Sequence, residues 1–411
     1  MSKAEARPRM LTVDEALAKL IAGARPVNEI ETVPTMDATG RVLAFAQYST
    51  INVPDHDNTS MDGYAVRAAE CVSGAARLRV AQRIAAGAVG TPLEPGTAAR
   101  IFTGAPIPPG ADAVVMQEMT TVDGDHVVIN AAPPAGEYIR YVGEDIKNGS
   151  TILDAGVRLR PQETGLAASV GIGSLPVRRR LRVGIFFTGD ELLMPGEPLQ
   201  FGKIYNSSRF TLTSLARDLG CIVTDYGIVP DSLAATRDTL RRAANENDLV
   251  LTSGGVSVGE EDHVKPAVEA EGRLDMWKIA MKPGKPLAFG QVRRADGKEA
   301  AFIGLPGNPV SSFVCVLLFV RPFVLRSQGV TELNPKTYRM RADFQWPKPD
   351  ARQEFLRARI NDAGGLDLYP NQSSAVLTST VWGDGLVDNP SKQAIQAGDL
   401  VRFIPFTEVL R

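Results

Sequence analysis

The stretch LRVGIFFTGDEL, residues 181–192, is where the texture of the sequence changes. Its first seven residues form an apolar run that is typical of a buried strand. Strand-like and helix-like runs then alternate along the chain, in the order SSRFTLTSLARDLG, CIVTDYGIV, DSLAATRDTLRRAANEN and DLVLTS. We expect Gly220 to close the first of these helices, and Asp231 or Ser232 to cap the second. Such alternation predicts a parallel, doubly wound sheet.

The segments on either side of this α/β region have a different texture. Thr12 to Glu15 match a capping box that opens an amphipathic helix. Residues 30–180 are rich in Gly, Pro and short β-like runs, which predicts β-rich modules. Alternating strands return near Tyr338 and predict an all-β tail. The expected fold class is therefore a multidomain protein that combines α/β and β parts.

Size and charge exclude several classes of protein. A chain of 411 residues is expected to form two to four domains. The formal net charge is -2, and the basic residues 178–180 and 182 make up the longest basic run, so we expect no nucleic-acid partner. No apolar segment opens the chain, so we expect no signal peptide. The longest apolar run, residues 313–320, is too short to span a bilayer and predicts a buried helix. A cytoplasmic protein without membrane contact fits these features.

Cysteine and histidine are sparse. The three cysteines and three histidines are scattered along the chain, without the spacing of a disulfide framework or a zinc site. We therefore expect no soft-metal site, while a hard cation held by carboxylates stays open.

A polar loop rich in Gly or Pro follows each predicted strand of the α/β region. In an open parallel sheet, ligands bind outside the carboxyl ends of the strands. Topology alone therefore gathers four loops on one functional edge. They lie at residues 188–191, 230–231, 253–255 and, after a fourth strand-like run AAFI, 304–309.

The third loop, TSGGVSVGEEDH at residues 252–263, combines glycines with carboxylates. Gly254 and Gly259 have the spacing of a nucleotide-binding P-loop, but Glu260 and Glu261 stand where Lys and Ser or Thr are required. A glycine-rich turn offers backbone N–H groups to an anion, and carboxylates suit Mg²⁺. Phosphate together with a divalent cation satisfies both features. The alternative is a tight surface turn with solvated acidic side chains.

Two lysines stand on a stiff turn in MKPGKP, residues 281–286. Proline fixes φ, and glycine lets the backbone approach a ligand. Lys282 and Lys285 would act there as point charges on phosphate or another oxyanion. A charged hairpin turn without a ligand is the alternative interpretation.

These motifs together resemble molybdopterin molybdenumtransferase, a family that includes the C-terminal domain of gephyrin. The resemblance covers nearly the whole chain in matching order, through SMDGYAV with Asp62, TGAPIPPGADAVVMQE (residues 103–118), TGDEL, TSGGVSVGEED, WKIAMKPGKP and GLPGNPVSS. It implies an enzyme that inserts molybdenum from molybdate into adenylylated molybdopterin and releases AMP, with Mg²⁺ required. It also implies a homodimer whose active site is shared between two chains, with small-molecule substrates and other molybdenum cofactor biosynthesis proteins as partners.

The resemblance implies four domains. The first is a doubly wound α/β molybdopterin-binding domain similar to the molybdopterin adenylyltransferase fold. A small composite linking domain, a β-rich inserted domain and a C-terminal β-barrel accompany it. The expected bounds, in that order, are 10–29 with 181–329, 30–48 with 150–180, 49–149, and 330–411.

The resemblance also implies the site residues. The catalytic set is Asp62, Thr103, Glu191, Asp231, Asp262, Lys278 and Lys282. The substrate-binding set is Ser253, Gly254, Gly255, Lys285, Pro306, Gly307, Asn308, Arg357 and Ser374. Glu191, Asp231 and Asp262 are the implied Mg²⁺ ligands, Gly254 and Gly255 hold the pyrophosphate bridge through their N–H groups, and a lysine binds molybdate.

Some of these assignments have rivals within the sequence. Asp231 could serve only as a helix N-cap. Asp190 and Glu191 are adjacent, so only one of them points inward on an extended segment. Asn206 and Ser208 depart from the family pattern, in which an acid and Asn are common, and NQSS at residues 371–374 lacks the usual His and Gly. An adenylyltransferase and a non-enzymatic scaffold are the alternative functions.

Overall fold

A computed structural model describes residues 10–255, 263–284 and 286–410 of the chain. The first part folds mainly into short strands, as its Gly- and Pro-rich texture predicts. The predicted capping box is present, because Glu15 N donates to Thr12 Oγ1 while Thr12 N donates to Glu15 Oε2. In chain order the elements are α1 (Val13–Gly23), β1 (Ile30–Pro34), β2 (Gln47–Tyr48), β3 (Asn58–Thr59), β4 (Gly63–Val66), β5 (Ala76–Ile84), β6 (Thr97–Ile101), β7 (Ala113–Met116), β8 (Thr120–Asp123), β9 (His126–Ile129), β10 (Ile139–Arg140), β11 (Thr151–Leu153), α2 (Pro161–Ser169) and β12 (Ser174–Arg178).

Six of these strands form one sheet, in the order β7-β4-β6-β5-β9-β8. Apolar side chains are buried on both of its faces. Asp62 directly precedes β4, and Thr103 lies just beyond β6. Because β4 and β6 run antiparallel, these two residues lie at the same edge of the sheet.

The α/β region begins with the strand that the sequence predicts at residue 181. Its elements are β13 (Arg182–Thr188), β14 (Leu192–Leu193), β15 (Ile204–Tyr205), α3 (Ser207–Asp218), β16 (Ile222–Val229), α4 (Leu233–Glu246), β17 (Leu249–Ser253), α5 (Val264–Glu271), β18 (Gly272–Lys278), β19 (Met281–Lys282), β20 (Pro286–Arg293), β21 (Glu299–Leu305), α6 (Pro309–Cys315) and α7 (Arg321–Ser327). The alternation of strands and helices is therefore confirmed.

The central sheet has the strand order β16-β13-β17-β21-β20-β18. Its first four strands pair in parallel, as predicted. The strands β20 and β18 extend the sheet in antiparallel pairing, which the alternation does not reveal. The short connection at residues 294–298 explains the turn from β20 to β21, because antiparallel strands accept tight connections. Helices α4 and α5 bury one face, while α1, α3, α6 and α7 cover the other.

The helix ends settle the choice of cap for α4. Ser232 is the N-cap, because its Oγ accepts the N–H of Ala235 at 3.3 Å. Asp231 therefore does not cap this helix. At the end of α3, Gly220 follows the C-cap with φ +82°, a conformation that favours glycine, so its predicted role is confirmed.

Residues 309–327 form one helical stretch, in which the π-helical residues Val316–Val320 join α6 to α7. By length and composition alone this stretch could cross a membrane. However, 89% of its apolar window is buried inside the protein. The prediction of a buried helix is confirmed, whereas the argument that the segment is too short was wrong, because the helix extends beyond the apolar run on both sides.

The C-terminal part is all-β apart from two short helices, as its alternating pattern predicts. Its elements are β22 (Tyr338–Arg341), β23 (Gln353–Ile360), β24 (Leu366–Leu368), α8 (Thr378–Trp382), β25 (Gly385–Asn389), β26 (Leu400–Pro405) and α9 (Phe406–Val409). The strands β23, β25, β26 and β22 pair in that order, and β24 pairs with β23. A bridge between Ala342 and Leu366 connects the β22 side to β24, so the sheet closes on itself into a small barrel.

The barrel joins the α/β region through β19, which pairs in parallel with β23. The two regions also share one apolar core, in which Phe313 of α6 packs edge-on against Phe406 at 5.5 Å between ring centroids. The predicted fold class, α/β with additional β modules, is confirmed. The residue bounds of the four domains stay a prediction.

Candidate active site

The loops at the carboxyl edge of the parallel strands meet the barrel around an open cavity of about 800 Å³. Part of the lining comes from the α/β region, and the rest comes from barrel residues. Eight of the predicted site residues line it: Glu191, Gly254, Gly255, Lys282, Pro306, Gly307, Asn308 and Ser374. The topological prediction that the strand-end loops gather at one edge therefore holds for three of the four loops.

The glycine turn after β17 is built for close backbone approach. Gly254 and Gly255 have φ values of +95° and +65°. A Cβ on Gly255 would lie 2.6 Å from a methyl group of Val264 and 2.9 Å from Thr188 Oγ1, so no larger residue fits. Gly254 N donates to Leu305 O at 3.2 Å, so this N–H is engaged within the fold. Gly255 N–H has no hydrogen-bond partner among the described residues, so it is the N–H of this pair that could receive an anion.

Ser253 ties the glycine turn to the neighbouring loop. Its hydroxyl donates to Pro306 O at 2.9 Å, and the side chain is buried. It lies beneath the cavity and does not line it. Its observed contact positions the Pro306–Asn308 loop relative to the glycine turn.

Lys282 projects from β19 at the boundary with the barrel. Its Nζ lies 3.4 Å from Glu354 Oε1 and 3.6 Å from Asp350 Oδ2. The turn that follows is tight, because Gly284 has φ +106° and a Cβ there would lie 2.7 Å from Cys315 Sγ. Lys285 lies outside the described residues. Within the described residues, Lys282 supplies an ammonium group to the cavity lining.

Arg352 also lines the cavity, and the sequence did not point to it. Asp350 holds its guanidinium through Nε at 3.0 Å and a second nitrogen at 2.9 Å. These hydrogen bonds, aided by nearby Lys282, lower the pKa of Asp350 well below its usual value. No motif surrounds Arg352, and its position depends on packing between the two regions. The barrel residues Gln372 and Ser373, also missed, line the same wall.

Glu191, and not Asp190, lines the cavity, which decides between these adjacent acids. The carbonyl of Asp190 instead accepts a hydrogen bond from Lys203 Nζ. Asp231 and Lys278, which were also predicted for the site, do not line the cavity. Asp231 is partly exposed beyond β16, and Lys278 is exposed at the end of β18.

The described residues contain no group of three or more His, Cys, Asp or Glu side chains arranged to hold a metal ion. Asp262, one of the predicted Mg²⁺ ligands, lies outside the residues that the structure describes. Glu191 is the predicted ligand that faces the cavity. Glu191 could supply one carboxylate ligand to a Mg²⁺ ion, which commonly takes one or two carboxylates and completes its shell with phosphate oxygens and water.

Arg357 is almost fully buried, with 1% of its surface exposed, and does not line the cavity. Its guanidinium donates to Ser379 Oγ, Phe355 O and Ser373 O at 3.1–3.3 Å. Burial lowers the pKa of Arg357 to about 10. Its contacts hold the loop that presents Ser373 and Ser374 to the cavity. Arg357 therefore supports the cavity lining without being exposed in the cavity.

Asp62 and Thr103 lie together at the edge of the inserted sheet. Thr103 donates to Asp62 Oδ1 through its N–H and its hydroxyl, both at 2.7 Å. These bonds, with a smaller contribution from Arg100, lower the pKa of Asp62. Both residues are exposed, and neither lines the cavity of its own chain.

Comparison with known proteins places this site in a family. Three family models match in succession: the MoeA N-terminal region (domain I and II) over residues 11–171, a probable molybdopterin binding domain over 184–326, and the MoeA C-terminal region (domain IV) over 339–406. A molybdopterin molybdenumtransferase of Haemophilus influenzae is 38% identical, covering 98% of this chain and 100% of its own. This chain belongs to the molybdopterin molybdenumtransferase family.

Further relatives agree with that assignment. Molybdopterin molybdenumtransferase 2 of Mycobacterium tuberculosis is 37% identical over 91% of this chain and 93% of its own. The crystal structure of the molybdopterin biosynthesis MoeA protein from Pyrococcus horikoshii superposes with a TM-score of 0.83 at 28% identity, covering 97% of this chain and 100% of that one. The resemblance read from the motifs is therefore confirmed, and with it the multidomain α/β plus β fold. The family consists of transferases of molybdenum cofactor biosynthesis.

Proposed function

We propose that this protein inserts molybdenum from molybdate into adenylylated molybdopterin and releases AMP. One observation carries the proposal. The anion-receptive edge of the α/β sheet and the C-terminal barrel line a single cavity. Both substrates are anions, and the cavity lining includes the ammonium group of Lys282 and the guanidinium group of Arg352, each held by a carboxylate, together with Gly255, whose N–H has no partner among the described residues.

Different residues of the cavity are assigned to the phosphoanhydride and to molybdate. Gly255 and Lys282 face the phosphoanhydride, since an N–H donor and a point charge both stabilise phosphate oxygens. Asn308 of the α/β region and Ser374 of the barrel add neutral polar groups to the cavity lining. Molybdate is a tetrahedral dianion and needs a basic contact, for which Lys278, Lys282 and Lys285 are the candidates.

Glu191, with Asp231 and Asp262 as further candidates, would hold Mg²⁺ against the phosphate oxygens. The bound ion would neutralise the charge that develops as the phosphoanhydride breaks. The carboxylates would supply its protein ligands, while Gly255 and Lys282 would bind the pyrophosphate bridge.

We further propose that the active site is completed by a second copy of the chain. Asp62 and Thr103 lie in the inserted sheet and do not line the cavity of their own chain. In a two-fold symmetric homodimer, the inserted sheet of one protomer would present Asp62 and Thr103 to the cavity of its partner, making two identical sites.

The barrel wall also bears on the alternative functions. An adenylyltransferase would use the α/β edge alone, and Arg352 and Ser374 would then have no part in the site. The direct test supplies purified protein with adenylylated molybdopterin, with and without molybdate, and measures AMP release. We expect molybdate to accelerate release. Release that is indifferent to molybdate, or consumption of ATP with molybdopterin, would favour the adenylyltransferase, and an absence of either reaction would favour a scaffold.

A further inference from the structure

Arg100 occupies a central position on the inserted sheet, separated from the Asp62–Thr103 pair by the Gly63–Ile101 row of the register. It lies on β6, opposite Tyr64 of β4 and beside Arg83 of β5 in the strand register. Its guanidinium stacks over Phe102 at 4.5 Å and over Tyr64 at 5.3 Å from the ring centroids. These contacts fix the plane of the guanidinium, and with it the directions in which its N–H groups point.

The N–H groups of Arg100 reach the two segments that flank Asp62. One nitrogen donates to Gly63 O at 2.7 Å, and the other donates to Gln117 Oε1 at 2.6 Å. Gln117 in turn donates its backbone N–H to Asp62 O at 3.1 Å. Arg100 therefore holds the backbone of Asp62 at two points, an arrangement called the clamp below. One point is Gly63, the next residue in the chain, and the other is Gln117, which is hydrogen-bonded to the carbonyl of Asp62.

The chain at this point has no room to move. A Cβ on Gly63 would lie 1.9 Å from Val115 O, so β4 and β7 approach more closely here than any side chain permits. With the backbone held, Oδ1 of Asp62 accepts both hydrogen bonds from Thr103. Oδ2 accepts no hydrogen bond from the described residues and is left as the available acceptor of this exposed carboxylate.

We propose that Arg100 is the positioning residue for Asp62, acting through Gly63 O and Gln117 to hold the carboxylate with Oδ2 free. Arg100 touches no substrate in this arrangement. Its importance for the reaction rests on the proposed role of Asp62, whereas its effect on the geometry of Asp62 does not.

Arg83 supplies a matched control. Its guanidinium stacks over the same Phe102 ring at 4.4 Å, and it is the register neighbour of Arg100. No hydrogen bond joins it to the Asp62 segment in the described part of the chain. Arg83→Gln thus removes an equal charge from the same face without touching the clamp.

The experiment follows the Thr103 amide signal in full-length protein labelled with ¹⁵N-threonine, because that N–H donates to the Asp62 carboxylate. Asp62→Asn gives the reference position for the weakened hydrogen bond. Arg100→Gln should move the signal toward that position and lower molybdate-dependent AMP release at least about ten-fold, since a displacement of ~1 Å can cost ~10²-fold. Arg83→Gln should leave the signal unmoved and AMP release within about two-fold of wild type, since it leaves the clamp intact.

Two further variants keep the test decisive. Arg100→Lys retains the charge but cannot bond Gly63 O and Gln117 Oε1 as a planar fork, so it should resemble Arg100→Gln. If Arg100→Gln fails to fold, Gln117→Leu removes one partner of the fork and should move the same signal. An unmoved Thr103 signal in these variants, or an equal shift in Arg83→Gln, overturns the proposal. A moved signal with unchanged AMP release supports the clamp and contradicts the proposed role of Asp62 in the reaction.

Discussion

The side chain of Lys282 is held by Glu354, a carboxylate from a different part of the fold, with 3.4 Å between Nζ and Oε1. Glu354 is fully buried and also accepts hydrogen bonds from Trp346 Nε1 at 2.7 Å and Asp350 N at 3.1 Å. These partners fix the carboxylate, and the carboxylate fixes the lysine. The barrel therefore decides where the ammonium group of the α/β loop is placed.

Glu354→Gln should reduce activity by loosening Lys282 while the cavity persists. It should also lower the unfolding free energy by about 1–3 kcal/mol, because a buried hydrogen-bonded charge is lost. Thermal unfolding and AMP release measure the two effects. Glu299→Gln, at an exposed position at the start of β21, is the control and should change neither. Wild-type activity in Glu354→Gln would show that Lys282 needs no such anchor.

Lys282→Ala should weaken capture of the anionic substrates more than Lys282→Arg does, because the positive charge matters most. The arginine variant should still fall short of wild type, since a planar fork misplaces the charge. The substrate concentration dependence of AMP release measures the loss, and Lys336→Ala, an exposed lysine away from the cavity, is the control. Equal activity in all four proteins would remove Lys282 from the site.

Asp350 should make stability depend on pH in the acid range. The hydrogen bonds from Arg352 lower its pKa in the folded protein below the ordinary 3.8. A lowered carboxyl pKa contributes stability above the unfolded value, and that stability is lost as the pH falls through the folded value. Wild type should therefore be more stable than Asp350→Asn at pH 7, with the difference shrinking below about pH 3.8. Denaturant unfolding at several pH values tests this, and a pH-independent difference would contradict it.

Activity should require Mg²⁺ and not zinc, because the predicted ligands are carboxylates and the described residues lack a Cys/His ligand set. EDTA treatment followed by add-back of each metal tests the requirement. Full activity after metal removal, or rescue by zinc alone, would refute the requirement.

Asp262→Asn should lower activity with little change in thermal midpoint, since a carboxylate in a strand-end loop contributes little to a core.

Asp62→Ala and Asp262→Ala should each be inactive alone and should complement each other after subunit exchange. In a mixed dimer, one active site contains both substitutions and the other contains neither. Random pairing makes about half of the dimers mixed, so activity should recover to about a quarter of wild type. A tag pull-down confirms exchange. No recovery after confirmed exchange would mean that each site is built within one chain.

The sequence predicted the features that depend on local pattern. Strand and helix periodicity predicted the α/β region, and the four parallel strands brought three of the four loops to one cavity. The glycine turn and the Lys282 turn were recognised because backbone freedom and proline stiffness are properties of the residues themselves. The antiparallel strands β18 and β20 were not predicted, since strand direction depends on which partner a strand finds.

Only the tertiary structure decided what each site residue touches. Lys282 and Glu354 are 72 positions apart, and they meet because β19 pairs with β23 of the barrel. The same packing brings Arg352 to the cavity. Pairing of β17 with β21 engages Gly254 N–H with Leu305 O, and the barrel's own packing buries Arg357. The amino-acid sequence by itself determined which segments form strands, helices and anion-receptive turns, because those follow from local periodicity and backbone conformation. The assignment of each charge and donor to the cavity or to the fold required the long-range packing of two regions, which no local pattern encodes.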